Sequence, residues 1–261
     1  MIIGAAVCPG APFLLPGVAS SLFTQMQELV MACAEAVGRL SAADSIVLLS
    51  TRLSAAGWPP GTPCRELDAG AIAASSVRRS DLPFPAIALR TGGPLAGGAP
   101  QNDRSTSGLL TVADPAVGTL VGATLLAAAA PSLPVSIIEI GDPAAAGAAL
   151  EARTQTAERI ALLVIADGSA CHGDNAPGRR DDRAAGFDAD ISAALAAGSP
   201  SRLAAACADR ALAGELLATV DPLAVLALLT AARPPEAAEL SYRGAPFGVG
   251  YWVASWQWTP A

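Results

Sequence analysis

The 261-residue chain contains no lysine, one histidine and few aromatic side chains, which make up 4% of it. Each shortage closes off a class of function. With His172 as its only histidine, one chain cannot supply a two-histidine metal site. Without lysine, "TGGPLAGGAP" at 91–100 lacks the Lys-Ser/Thr ending with which a glycine-rich loop holds phosphate. Scarce aromatics leave core packing to small aliphatic side chains, which the 52% hydrophobic content supplies. Acidic residues outnumber basic ones by 23 to 16, for a net charge of −7. No concentrated basic surface is expected, and so no nucleic-acid partner.

The five cysteines, at 8, 33, 64, 171 and 207, are odd in number and include no C-x-x-C pair. They read as free thiols in a reducing compartment, which points to the cytoplasm. The start "MIIGAAVCPGAPFLLPG" has no basic residue before its apolar part and is soon broken by proline, unlike a signal peptide. The longest apolar run, "AVGTLVGATLLAAAA" at 116–130, lies between Pro115 and Pro131. It falls short of the roughly 20 residues a bilayer span needs. A buried helix is expected there, and no membrane partner.

What is present is an alternation. Short runs at 2–7, 45–50, 84–90, 135–140, 160–166 and 247–255, most of them continuously apolar, suit strands covered on both faces. Between them, Ala-rich stretches predict helices over 18–40, 115–130, 143–157, 181–197, 200–217 and 221–232. Asp114-Pro115, Asp142-Pro143 and Asp221-Pro222 each offer an Asp cap followed by Pro at a helix start, and Gly198 suits a helix stop. The pattern predicts a three-layer α/β/α sandwich with a mostly parallel or mixed sheet, in one domain spanning 1–261. Residues 51–83 and 91–108 read as loops. In open sheets of this kind ligands collect beyond the carboxyl ends of the strands. If the strands before them are parallel neighbours, Gly10, Arg52 and His172 converge on one crevice.

Four stretches carry a resemblance. "VCPGAPFLLP" at 7–16 is similar to the first-strand motif of the class III extradiol ring-cleavage dioxygenases, which reads Pro-His-Pro-Pro and then apolar residues. "IVLLSTR" at 46–52 resembles that family's strand ending in Ser-Pro-His. "ADGSACH" at 166–172 resembles its Gly-Ser-Gly-Gly-x-Ser-His segment, followed by a similar helix, and "APFGVGYWVASW" resembles its last core strand. The resemblance implies a non-haem Fe(II) held by two histidines and a glutamate, with a further histidine as acid–base catalyst. Carried over, the first two ligand positions fall on Gly10 and Arg52. Glycine has no side chain to donate, and a guanidinium has no lone pair to give. The third ligand falls near Glu239, and the acid–base position falls on His172. The resemblance therefore implies a degenerate member that lacks the iron histidines, and no cofactor is expected. The cysteines read as small thiols, not as replacement ligands.

Other constellations have plainer readings. Ser169, His172 and Asp167 or Asp174 are the residue types of a hydrolytic triad. However, Asp-Gly-Ser-Ala-Cys does not match the glycine-flanked elbow of such nucleophiles, and a turn held by Asp and Ser side chains is expected. Arg179 and Arg180 offer an anion site or a solvated helix start complemented by Asp181 and Asp182; Arg78 and Arg79 read as solvated. The "YWVASWQW" cluster suits a covered edge strand, a subunit contact or an aromatic pocket.

Three functions remain. The first is a binding or scaffolding protein using the old crevice, with Gly10, Arg52, Asp167 and Ser169 at a small anionic or aromatic ligand and Arg52 standing in for the metal's charge. The second is an enzyme of altered chemistry with His172 as acid–base and Arg52 as anion clamp. The third is a non-catalytic subunit, paired with itself or with an active relative.

Overall fold

The computed structural model describes residues 1–15, 26–51, 64–67, 116–129, 133–154 and 156–259. Arg52, Arg78 and Arg79, the strand expected over 84–90, the glycine-rich stretch 91–108 and Asp114-Pro115 lie outside these residues.

The apolar runs form the centre of one mixed sheet. Its strands are β1 (Ile2–Cys8), β2 (Ser45–Thr51), β3 (Cys64–Leu67), β4 (Val135–Ile140), β5 (Ile160–Ile165), β6 (Ala237–Gly244) and β7 (Tyr251–Gln257), in the order β3-β4-β2-β5-β1-β7-β6. β4, β2, β5 and β1 are parallel; β3, β7 and β6 run antiparallel to their neighbours. β3 lies within the stretch read as loop.

Side chains alternate across the sheet with period two, and both faces are covered. On one face Ala5, Val7, Leu49, Leu162 and Val164 pack under α3 (Pro143–Thr154), α4 (Ala184–Ala196), α5 (Pro200–Ala206), α6 (Arg210–Glu215) and α7 (Asp221–Thr230). On the other, Ile3, Ala6, Leu48, Leu163 and Ile165 pack under α1 (Gln27–Gly38) and α2 (Val117–Ala129). These are the three expected layers. Helix α2 approaches the sheet closely because Gly122 faces it: a Cβ there would lie 2.5 Å from Leu48 Cδ1 and 2.9 Å from Ile165 Cγ1. Among the described residues, no helix is long and apolar enough to cross a membrane.

Several local expectations need correction. Asp142 does cap its helix, accepting the Ala144 amide at 3.0 Å, but Asp221 is a first-turn residue that pairs with Arg210 at 3.1 Å. Gly198 stops α4 with φ +57. The single helix expected over 200–217 is two, because Asp209 starts the second by accepting the Leu212 amide at 2.9 Å. β7 is not an edge, since β6 covers it. Trp252, Trp256 and Trp258 are buried inside the chain, which accounts for the aromatic cluster without a subunit contact. Their burial is anchored by polar bonds: Trp256 Nε1 donates to Leu195 O at 2.8 Å and Trp258 Nε1 to Arg233 O at 2.9 Å. The edge strand β6 carries a bulge between Leu240 and Tyr242, which breaks its regular hydrogen-bonding edge.

Candidate functional site

β2, β5 and β1 are adjacent and parallel, so their carboxyl ends open on one edge of the sheet. Gly10 follows β1, and Asp167 and the segment through His172 follow β5. Gly10 N–H donates to Asp167 Oδ1 at 2.8 Å. A Cβ at position 10 would lie 2.9 Å from Asp167 Oδ2, 3.2 Å from Ile165 Cγ2 and 3.4 Å from the Gly118 backbone at the start of α2. The carboxylate thus fills the space that a side chain at position 10 would need.

Asp167 is held from behind by Thr219. The Asp167 amide donates to Thr219 Oγ1 at 2.8 Å, and the Thr219 amide donates to Asp167 O at 2.9 Å. Burial pushes the Asp167 carboxyl up to about 6, against the opposing pull of the Gly10 amide. Tyr251 stands near enough that burial first, and the Asp167 charge second, raise its phenol above the ordinary range. The sign of the Asp167 effect is testable. Its folded value lies above its unfolded one, so the unfolded chain loses this proton first, and native stability falls as pH rises from about 4 to about 6. Asp167→Asn keeps an acceptor for Gly10 and cannot ionise. Its denaturant midpoint relative to the natural chain is expected to climb across that window; a constant gap between pH 4 and 7 would remove the effect.

Beyond Asp167 the chain runs beside the entry to β7. Gly168 N–H donates to Gly250 O and Gly250 N–H to Ser169 O, both at 2.8 Å, and His172 N–H donates to Gly248 O at 3.2 Å. Asp188, from α4, is packed beneath this ladder. Its Oδ1 accepts the Ser169 amide at 2.9 Å and its Oδ2 meets His172 Nε2 at 2.6 Å. The side chains of His172 and Asp188 are 17% and 10% exposed, so the pair is shielded but reachable. Desolvation raises the Asp188 carboxyl, opposed by the Ser169 amide and by His172. Two glycines make room for it: a Cβ on Gly168 would lie 2.6 Å from Oδ1, and one on Gly250 would overlap Oδ2.

The structure therefore brings Gly10 to Asp167, and Ser169 to His172 through Asp188. Ser169 is wholly buried and its hydroxyl accepts the Cys171 amide at 3.1 Å. It holds a turn and has no surface for a ligand, which corrects the expectation that it contacts one. His172 bonds Asp188 instead of a serine, so no triad forms around Ser169. Glu239 is exposed on β6 and pairs with Arg39 at 2.5 Å. It lies opposite Ser255, which pairs with Ala6, two strands away from β1 and set back from its carboxyl end. That is roughly 10 Å across the sheet, too far to join Gly10 around one ion. Cys8 and Cys171 are buried; Cys171 Sγ points to Leu216 O at 3.6 Å.

Aromatic rings line the same edge. Phe13, after Gly10, meets Phe247 and Tyr251 edge-on, with centroids 6.1 Å and 6.0 Å away. Phe247 is 47% exposed and held at φ 58, a backbone state that costs a non-glycine residue roughly 1–3 kcal/mol. On the outer side of the loop, a hollow of about 480 Å³ is lined by Asp174, Gly178, Arg179, Arg180 and Asp182. Arg180 already reaches Asp182 at 3.4 Å. Asp181 accepts the Arg183 amide at 2.9 Å and pairs with its guanidinium at 2.6 Å, as a solvated helix start requires.

Sequence reading missed Asp188. The signal was available: it falls on the apolar stripe Ala184, Phe187, Asp188, Ile191, Leu195 of α4, and a carboxylate on a buried stripe demands a partner.

Fold and site together define an α/β sandwich with a carboxylate–histidine pair and a second carboxylate at the carboxyl edge of its parallel strands. No protein-family model and no curated protein matches the chain. Among solved structures it is similar to the uncharacterized protein JW3007 from Escherichia coli K12, at 15% identity over 97% of this chain and 99% of that one, with a TM-score of 0.49.

Proposed function

We propose that the chain is an extradiol-dioxygenase-like protein that has lost its iron site and binds a small anionic or aromatic molecule in the crevice beyond β1, β5 and β2. The observation that supports this most is the Gly10–Asp167 contact. At the position where the resemblance puts an iron histidine, a bare backbone amide is bonded to a carboxylate that leaves no room for a side chain. Fe(II) does not fit these residues. Position 10 has no donor, Glu239 is engaged elsewhere, and among the described residues no three His, Cys, Asp or Glu gather closely enough to hold a metal.

Elemental analysis of protein purified with Fe(II) present is expected to find far less than one iron per chain; one tightly held iron per chain would end the reading. Gly10→His should gain no iron and lose about 1–3 kcal/mol of stability through overpacking against Asp167. Binding is tested by thermal shift with 3,4-dihydroxybenzoate and with benzoate. A ligand at about 100 times its Kd stabilises by about 2.7 kcal/mol, and a protein blind to both probes and to their close analogues would count against a pocket.

The His172–Asp188 pair favours a second reading, an enzyme of altered chemistry with His172 as general acid–base. Such a group contributes roughly 10²–10⁴ in rate. His172→Ala should cost that much in turnover of any substrate found, and unchanged turnover would dismiss it.

A further inference from the structure

We propose that Asp188 is a positioning residue that holds His172 in its Nε2–H form, so that Nδ1 is the nitrogen presented to a ligand. This rests on the crevice being a working pocket, but its test does not need a ligand.

A neutral imidazole carries one proton on either of two nitrogens, and its partner selects which. Here the partner touches Nε2. The orientation of that partner is itself fixed. Asp188 Oδ1 accepts the Ser169 amide at 2.9 Å, and the carboxyl group sits in the space that side chains at Gly168 and Gly250 would need. An ionised carboxylate only accepts, so the ring must donate from Nε2. Among the described residues Nε2 makes the ring's one hydrogen bond, which leaves the Nδ1 lone pair for a ligand. A ligand O–H bonded to Nδ1 passes its proton there, and the O–H bonding pair stays on the ligand oxygen. The resulting imidazolium keeps its Nε2–H on Asp188, whose negative charge offsets the new positive one. Asp188 touches no ligand in this scheme and acts only through the ring.

Because His172 is the chain's one histidine, long-range proton–nitrogen correlation of uniformly ¹⁵N-labelled protein shows a single imidazole, with no assignment needed. With the ring neutral, the expected pattern has a protonated Nε2 and a bare Nδ1. Asp188→Asn makes a sharper prediction. Its carboxamide oxygen must stay on the Ser169 N–H, because turning the amide would set two donors against each other. The NH₂ group then faces Nε2 and donates to it, so the proton moves to Nδ1 and the pattern inverts.

A natural protein with Nδ1–H dominant would overturn the proposal, since it would mean that Asp188 carries the proton and donates it. An Asp188→Asn variant that keeps native amide dispersion but does not invert would overturn it as well. If that variant fails to fold, the pattern in the natural chain decides alone. Inversion together with an absence of any ligand would leave the positioning role standing and remove only the pocket.

Discussion

Gly250→Ala is expected to destabilise the protein by about 3 kcal/mol or more. The added methyl carbon would occupy the place of Asp188 Oδ2. Something must move, and every option costs. Gly250 is tied by two backbone bonds to Gly168 and Ser169, so retreat of the strand breaks that ladder. Retreat of Asp188 breaks its bonds to Ser169 and His172, and removing the partner of a buried charged group costs several kcal/mol. The check is a denaturant titration paired with the His172 nitrogen spectrum. Lower stability should come with loss of the Nε2–H signature while the remaining amide spectrum stays native. An alanine variant as stable as the natural chain, with that signature intact, would show that the close packing of strand on carboxylate is not needed.

Trp256→Ala should cost about 4 kcal/mol, in the range of 3–5 found when large aromatics are cut out of cores. Trp256 is 1% exposed and meets Trp258 edge-on at 6.4 Å. Its loss leaves a cavity between β7 and α4 and strips Leu195 O of the indole donor. For a chain of this length the melting temperature should fall by roughly 10 °C. The contrast with Gly250→Ala is diagnostic: while still folded, Trp256→Ala should leave the His172 spectrum unchanged. A shift below 3 °C would mean that the site collapses far more readily than this packing allows.

The central strands were legible because each carries an almost unbroken apolar run, interrupted only by residues such as Ser50, Ser136 and Glu139, a pattern expected where both faces are buried. From β1, β2, β4 and β5 the layered architecture follows directly, and so does the shared carboxyl edge that joins Gly10 to Asp167. β6 was not legible. Its "AAELSYRG" is rich in helix-compatible residues, is fully buried at no position, and carries no apolar run of the kind that marks the central strands. The break between α5 and α6 was hidden for a similar reason, since Ala-rich sequence on both sides reads through it and only the Asp209 cap marks the restart. At the site, Asp167 and His172 were visible as polar residues leaving a strand. Asp188 was not, because its importance lies in what sits across from it, and local spacing carries no information about a partner from another element. Ser169 erred the other way: a hydroxyl in a polar loop suggested a ligand contact, whereas the amide two residues later had already claimed it.

β1 is flanked by β5 and β7, so Ile2 pairs with Ile160 and Gly4 with Gln257. On the ribosome the first strand must therefore wait, apolar on both faces, while about 150 residues are synthesised before β5 can pair with it and more than two hundred before β7 can. Contacts so distant in sequence are slow to form, and an unpaired apolar strand is open to aggregation in the meantime. Truncation before β7, or a long pause ahead of it, should yield nascent chains that depend on chaperones, with the Asp188 cradle the last part to assemble.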